Sequence, residues 1–241
     1  MSNVTLALRT THNIPELAAS YAQNGCVRIN GLFPDDVAQS IHHDLANKTP
    51  WHVVHADSEG SHLYYRPEDW AGLENKERQK ILQNIMIQAS EGFSYFYACY
   101  PMIQNYLEQR DPEWPLHAMT EYLNSPEFHN FVKSITNEPG VNKIDGQATL
   151  YASGHFLNLH DDTGTDAERR VAYVMGFTKD WSPNWGGQLL MLDDNDDTQF
   201  GFSPSFNSLT LFKVPRKHMV TQVASFAKGG RYSITGWLRD D

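Results

Sequence analysis

The sequence predicts an α+β fold in which a helical N-terminal layer backs an all-β C-terminal core. Two observations carry that prediction. Over residues 14–140 apolar residues recur at helical spacing behind charged faces, whereas after Gly140 the pattern turns to period two in β-branched and aromatic residues. No repeat, low-complexity tract or Pro/Gly/Ser-rich linker separates the two textures. The 241 residues therefore read as a single domain, with 1–140 mainly helical and 141–241 the β core.

Within the first part, Pro34 opens a helix whose first turn carries Asp35 and Asp36 and whose apolar face is Val37, Ile41 and Leu45. Residues 74–86 place Ile81, Ile85 and Met86 at helical spacing, and 126–135 do the same with Phe128, Phe131, Val132 and Ile135. One short strand, 26–29, interrupts them. Candidate strands in the second part are 147–151, 156–160, 170–177, 188–192, 208–214, 219–224 and 231–238. Turn signals separate them: Ser153-Gly154, Asp162-Thr163-Gly164, Gly186-Gly187, Pro204-Ser205 and Lys228-Gly229-Gly230. Short strands at this spacing form an antiparallel sandwich or barrel.

Nineteen Lys plus Arg against 29 Asp plus Glu give a net charge of −10, which argues against the basic face that a nucleic-acid backbone requires. No stretch approaches the roughly 18 apolar residues of a membrane span, and the opening residues lack a signal-peptide pattern. Cys26 and Cys99 make no disulfide framework. The expectation is a cytoplasmic protein with neither nucleic acid nor membrane as its primary partner; nothing in the sequence sets its oligomeric state.

The 11 histidines are the chemistry-bearing excess, since imidazole is the commonest transition-metal ligand. A His-x-acid pair can begin a 2-His-1-carboxylate iron site, and three occur: His42/Asp44, His55/Asp57 and His160/Asp162. In the helix from Asp35, residues two apart face away from each other, so His42 and Asp44 read as a solvated helix face. His55 and Asp57 lie in a strand-like segment with no strand array behind them, and an ordinary surface loop is the better reading. His160 ends a candidate strand, where period two points it and Asp162 to one side. His218 is the only histidine after His160 and the remaining candidate donor; a hydrogen-bonded sheet histidine is its alternative. Thirteen residues on, Arg231 and Ser233 share a strand face and can hold a carboxylate in a charge-assisted arrangement worth roughly 1.5 to 3 kcal/mol. The alternative for Arg231 is a surface ion pair.

These features recur in a known order: Tyr151, Leu159-His160-Asp161-Asp162, Arg169-Arg170-Val171-Ala172-Tyr173, Trp181 with Gly186-Gly187-Gln188-Leu189, Pro204-Ser205-Phe206-Asn207, Leu211-Phe212-Lys213-Val214, His218-x-Val220 and Arg231-Tyr232-Ser233-Ile234-Thr235-Gly236-Trp237. Over residues 145–240 the chain resembles the Fe(II)- and 2-oxoglutarate-dependent oxygenases of the prolyl-hydroxylase-like group, in particular the catalytic domain of ribosomal-protein prolyl hydroxylases. The resemblance implies a single oxygenase domain with a double-stranded β-helix (jelly-roll) core. Fe(II) would be held by His160, Asp162 and His218. The distal carboxylate of 2-oxoglutarate would go to Arg231, with Tyr151 and Ser233 as further donors. The implied reaction uses O2 to turn 2-oxoglutarate into succinate and CO2 and hydroxylates a prolyl residue of a protein or peptide, with ascorbate as a stimulant. Relatives that halogenate leave the carboxylate position empty, so Asp162 points to hydroxylation. Two features depart from the pattern. Many relatives carry a tyrosine where Gly176 stands, and the ribosomal enzymes continue into a second β domain.

Two other functions fit the same core: hydroxylation of a free amino acid or small metabolite, and a non-catalytic metal- or ligand-binding β-barrel. Arg169 and Arg170 either meet substrate or pair with local acids. The aromatic stretch 93–97 reads as core rather than substrate pocket. Asp193-Asp194-Asn195-Asp196-Asp197 lacks the glycine and glutamate of an EF-hand loop and reads as an acidic hairpin.

Overall fold

The computed structural model describes residues 5–57, 59–163 and 168–241. The helices are α1 (Ile14–Asn24), α2 (Asp35–Asn47), α3 (Pro67–Gly72), α4 (Asn75–Glu91), α5 (Met102–Leu107), α6 (His117–Leu123) and α7 (Pro126–Thr136). The strands of the first part are β1 (Cys26–Asn30), β2 (His52–Ala56), β3 (His62–Tyr65) and β4 (Tyr95–Tyr100). Those of the second are β5 (Lys143–Ile144), β6 (Gln147–Tyr151), β7 (Phe156–His160), β8 (Arg169–Phe177), β9 (Leu189–Leu192), β10 (Thr198–Phe202), β11 (Phe206–Lys213), β12 (His218–Val220) and β13 (Arg231–Arg239). Among the described residues no helix is long and apolar enough to cross a membrane.

All these strands join one antiparallel sheet that curls into a jelly-roll. β1, β11, β8, β13 and β6 make one wall, and β7, β12, β9 and β10 make the other. β4 joins the walls by pairing with both β6 and β7. Strand β8 shows how sequence builds this layer. Val171, Tyr173, Met175 and Phe177 point outward into a core shared with α1, α2, α6 and α7, while Ala172 and Val174 point into the curl. Period two thus serves the helical layer with one face and the interior with the other. Helix α7 begins where Ser125 Oγ caps the Phe128 amide and Pro126 takes the first turn.

The first part supplies four strands where the sequence suggests one. Strands β2 and β4 are buried almost throughout, so neither shows the polar alternation that marks a half-exposed strand. Strand β12 ends at Val220 rather than 224, because Thr221 and Ala224 bond instead to the loop at Trp185–Gln188. The expected turn at Asp162-Thr163-Gly164 runs out of the described residues at Gly164.

Three polar residues are less exposed than the helix and loop readings imply. Asp44 is buried and pairs with Lys48 at 2.8 Å, and His42 Nδ1 lies 2.7 Å from the Phe177 carbonyl, because α2 packs against the sheet wall. His55 is a buried member of β2 stacked on Tyr65. The acidic hairpin is as expected: Asp193 Oδ1 accepts the amides of Asn195 and Asp197 at 2.9 and 3.0 Å between β9 and β10.

Phe33, wholly buried, stacks on Phe177 at 6.4 Å and tilts against Tyr122 at 5.9 Å, tying the helical layer to the sheet. Phe33→Ala is expected to cost about 3–5 kcal/mol of stability, read as a lower urea midpoint with an unchanged slope; a loss below about 1 kcal/mol would contradict this role.

Candidate metal centre

Antiparallel register places His218 of β12 directly opposite His160 of β7. Their rings lie 4.1 Å apart, with Phe212 against His218 and Phe93 against His160. Each Nδ1 meets a backbone carbonyl, that of Asn158 at 2.9 Å and that of Arg216 at 2.7 Å. A carbonyl only accepts, so Nδ1 carries the proton and both Nε2 lone pairs are free for a metal.

Asp162 reaches the same point by a different route from the one its spacing suggests. Strand β7 ends at His160, and Asp162 stands beyond it in the left-handed region at φ 62°. Asp tolerates that conformation better than most side chains, and the turn brings the carboxylate back over the histidines. Oδ1 lies 3.5 Å from His160 Nε2, and Oδ2 lies 3.6 Å from His218 Nε2. One donor atom from each residue falls within 4.8 Å of the others. Two imidazoles and one carboxylate fit a borderline divalent cation such as Fe(II).

Burial, then the neighbouring His160, pushes His218 from 6.5 down to about 4. Burial pushes the Asp162 carboxyl up, yet His160, His218 and Trp237 outweigh it and the net shift is downward. At neutral pH His218 is therefore a neutral ring and Asp162 an anion, which is the protonation state a metal needs of these two donors.

A cavity of about 190 Å3 opens beside these donors, between the two walls of the sheet. Phe93, Tyr95, Tyr97 and Trp237 line it, as do Tyr151, Thr149 and Arg231. The aromatic stretch 93–97 is thus both core and cavity wall: Tyr95 and Tyr97 project inward at period two from β4. His62, on edge strand β3, also lines the cavity and hydrogen-bonds the Tyr95 hydroxyl. In the sequence the stretch reads as core rather than as a cavity wall, and His62 has no assigned role.

Arg231 is not in a surface ion pair. It is 5% exposed, its guanidinium sits 4.8 Å from the centre of the Tyr151 ring, and its Nη1 has no hydrogen-bond partner among the described residues. A buried guanidinium without a counter-anion is costly, and one facing a cavity fits the carboxylate of a bound dicarboxylic acid. Close approach is possible because Gly187 lies alongside; a Cβ there would stand 3.5 Å from Arg231 Cδ and 3.2 Å from Trp181. Ser233 Oγ is 2.9 Å from Thr149 Oγ1, one step along the same face. Arg170 binds Asp240 at 2.6 Å in an exposed pair, and the Arg169 guanidinium lies 3.8 Å over the ring of Trp237.

Fold and site together define a jelly-roll protein with a two-histidine, one-carboxylate cluster at the mouth of an interior cavity. Residues 146–239 match the model of the 2OG-Fe(II) oxygenase superfamily, and this segment is a 2OG-Fe(II) oxygenase domain, whose chemistry uses Fe(II), 2-oxoglutarate and O2. The chain thus contains an oxygenase domain in its second part. Solved structures share the fold. A prolyl-4-hydroxylase from Pseudomonas putida is 17% identical with TM-score 0.58, covering 95% of this chain and 99% of its own. An oxidoreductase of the 2OG-Fe(II) oxygenase family from Burkholderia pseudomallei is 11% identical with TM-score 0.62, covering 100% and 97%. A prolyl hydroxylase from Trichoplax adhaerens, in complex with a hypoxia-inducible-factor oxygen degradation domain peptide, is 15% identical with TM-score 0.57, covering 94% and 89%. At these identities the likeness establishes the fold alone. No curated protein matches the chain.

The depressed His218 pKa sets a pH dependence for the metal-free protein. The unfolded chain takes up a proton below about pH 6.5 that folded His218 refuses until about 4, so stability is lost as pH falls through that window. The loss is expected to be of order 3 kcal/mol between pH 7 and pH 4, and His218→Phe should flatten the slope. Urea denaturation in the presence of chelator measures both; an equal slope in the two proteins would contradict the assignment.

Proposed function

We propose that the chain is a 2-oxoglutarate-dependent hydroxylase of a prolyl residue within a protein or peptide. In this reading Fe(II) is held by His160, Asp162 and His218, and the distal carboxylate of 2-oxoglutarate is received by Arg231 with Tyr151 and Ser233 beside it. The observation that carries the reading is the pairing of two ends of one cavity: a three-donor metal cluster at the mouth and a buried, uncompensated guanidinium within. When bound, Fe(II), 2-oxoglutarate and O2 supply the oxidative decarboxylation to succinate and CO2 that places one oxygen atom in a substrate C–H bond.

The protein's own groups bind, orient and exclude water. His160 and His218 offer Nε2 atoms held in orientation by the Asn158 and Arg216 carbonyls. Asp162 contributes the anion that partly balances a dication. Arg231 neutralises the far carboxylate in a dry setting, where a charge-assisted bond is strongest. Tyr97 and Tyr151 stack at 5.1 Å and close the inner wall against water.

Cavity chemistry supports a residue inside a polypeptide rather than a free amino acid. With Asp162 and Arg231 engaged, the described lining offers no second guanidinium, ammonium or carboxylate to hold an α-carboxylate and an α-ammonium group. Phe93, Tyr95 and Trp237 instead present an apolar surface suited to an uncharged ring such as proline's. The Pseudomonas and Trichoplax neighbours, named for prolyl hydroxylation, point the same way. The free, buried thiols of Cys26 and Cys99, each pushed up to about 12 by burial, accord with a reducing compartment such as the cytoplasm.

Purified protein supplied with Fe(II), O2 and 2-oxoglutarate is expected to form succinate, and Asp162→Ala or His218→Ala to abolish it. Full activity in both variants would sink the proposal. A mass-spectrometric screen should find one added oxygen on proline-containing peptides and none on free proline; the reverse pattern would favour a small-molecule hydroxylase.

A further inference from the structure

We infer that Arg28, on β1, is a second cation at the inner end of the cosubstrate site and positions the distal carboxylate together with Arg231. The inference rests on the cosubstrate role proposed above for Arg231, and it brings in a strand outside the segment 146–239 that matches the oxygenase family.

Register puts the two arginines on one face of the sheet. Ser208 of β11 pairs with Gly176 of β8, which pairs with Ser233 of β13. Arg28 pairs with Thr210, two residues from Ser208, and Arg231 lies two residues from Ser233. Residues two apart along a strand, and residues opposite each other across strands, share a face. Both arginines line one small cavity, about 10 Å3, whose other polar residues are Thr178, Ser203, Ser205, Ser208, Tyr232 and Ser233. That is room for about one water or one carboxylate oxygen.

No carboxylate occurs among the described residues lining this space. Arg28 is held by neutral partners only: Nε donates to Thr210 Oγ1 at 3.0 Å, Nη1 donates to the Ser203 carbonyl at 2.8 Å, and the guanidinium stacks 4.3 Å over Phe202. These contacts fix its orientation without neutralising it. Burial, then the charge of Arg231, lowers Arg28 from its ordinary 12.5 to about 10. Two like charges facing each other in a poorly solvated space are mutually unfavourable, and an anion between them removes the penalty.

Gly176 makes the arrangement possible and excludes the obvious substitute. A Cβ at this position would stand 2.6 Å from the Ser205 carbonyl oxygen and 2.8 Å from Ser208 Oγ, so no side chain can enter at this position of β8. Polar groups reach this space instead from Arg28 of β1, Ser205 just before β11, Ser208 of β11 and Ser233 of β13.

The test compares Arg28→Gln, Arg28→Lys and Arg231→Gln by calorimetry with 2-oxoglutarate and, as a probe lacking the keto acid, glutarate. Arg28→Gln should weaken both ligands roughly tenfold, about 1.4 kcal/mol, with Mn(II) affinity unchanged and turnover at saturating 2-oxoglutarate nearly intact. Arg28→Lys, which keeps the charge, should recover affinity to within about threefold of the natural protein. Natural affinity in Arg28→Gln, or equal loss in Arg28→Gln and Arg28→Lys, would overturn the role of Arg28. No loss in Arg231→Gln would instead overturn the cosubstrate reading itself. Should Arg28→Gln fail to fold, Thr210→Val keeps the charge but frees the guanidinium; it should bind glutarate more weakly, and unchanged affinity would overturn the inference.

Discussion

The pairing of β12 with β7 is the constraint on which the site depends. It sets His218 opposite His160, and because side chains alternate along a strand, a slip of one residue would turn an imidazole out of the cavity. Pairing of β12 with β9 on its other side, His218 opposite Met191, holds the register from both edges. Each ring is then locked by the carbonyl of the residue two positions before it, the same local device used twice. With both rings set, a single left-handed residue, Asp162, completes the donor set.

Charge is distributed along the cavity in a way that burial makes consequential. The Asp162 carboxylate stands beside the two imidazoles, and the Arg231 guanidinium lines the same cavity, among aromatic and aliphatic walls. In water such charges would be screened and weak; in this interior each favours a partner of opposite sign. The fold supplies neither partner, which is why the same two positions read as ligand-binding rather than as structural ion pairs.

The N-terminal half does more than cover the sheet. Its helices bury the outer face of β8 and β11, and its strands reach the site itself. Strand β4 bridges the two walls and sends Tyr95 and Tyr97 inward, β3 brings His62 to the mouth, and β1 carries Arg28. Segments outside the C-terminal core therefore line both the cavity beside the metal cluster and the smaller one shared by Arg28 and Arg231.

The sequence by itself determined the order of the chemistry: His160-Asp161-Asp162, His218 and Arg231 lie in or just after motif-bearing strands, where spacing is visible. Helices with clean amphipathic faces, such as α2 and α7, were legible for the same reason. Tertiary structure alone decided the rest. Strands β2 and β4 are buried on both faces and carry no alternation, and the turn that folds Asp162 back is a matter of one backbone angle. The meeting of Arg28 with Arg231, far apart in the chain, follows from which strands become neighbours in the sheet. Local pattern reports how a segment is solvated; it carries no information about which distant segment will lie beside it, because that is set by the closure of the whole sheet.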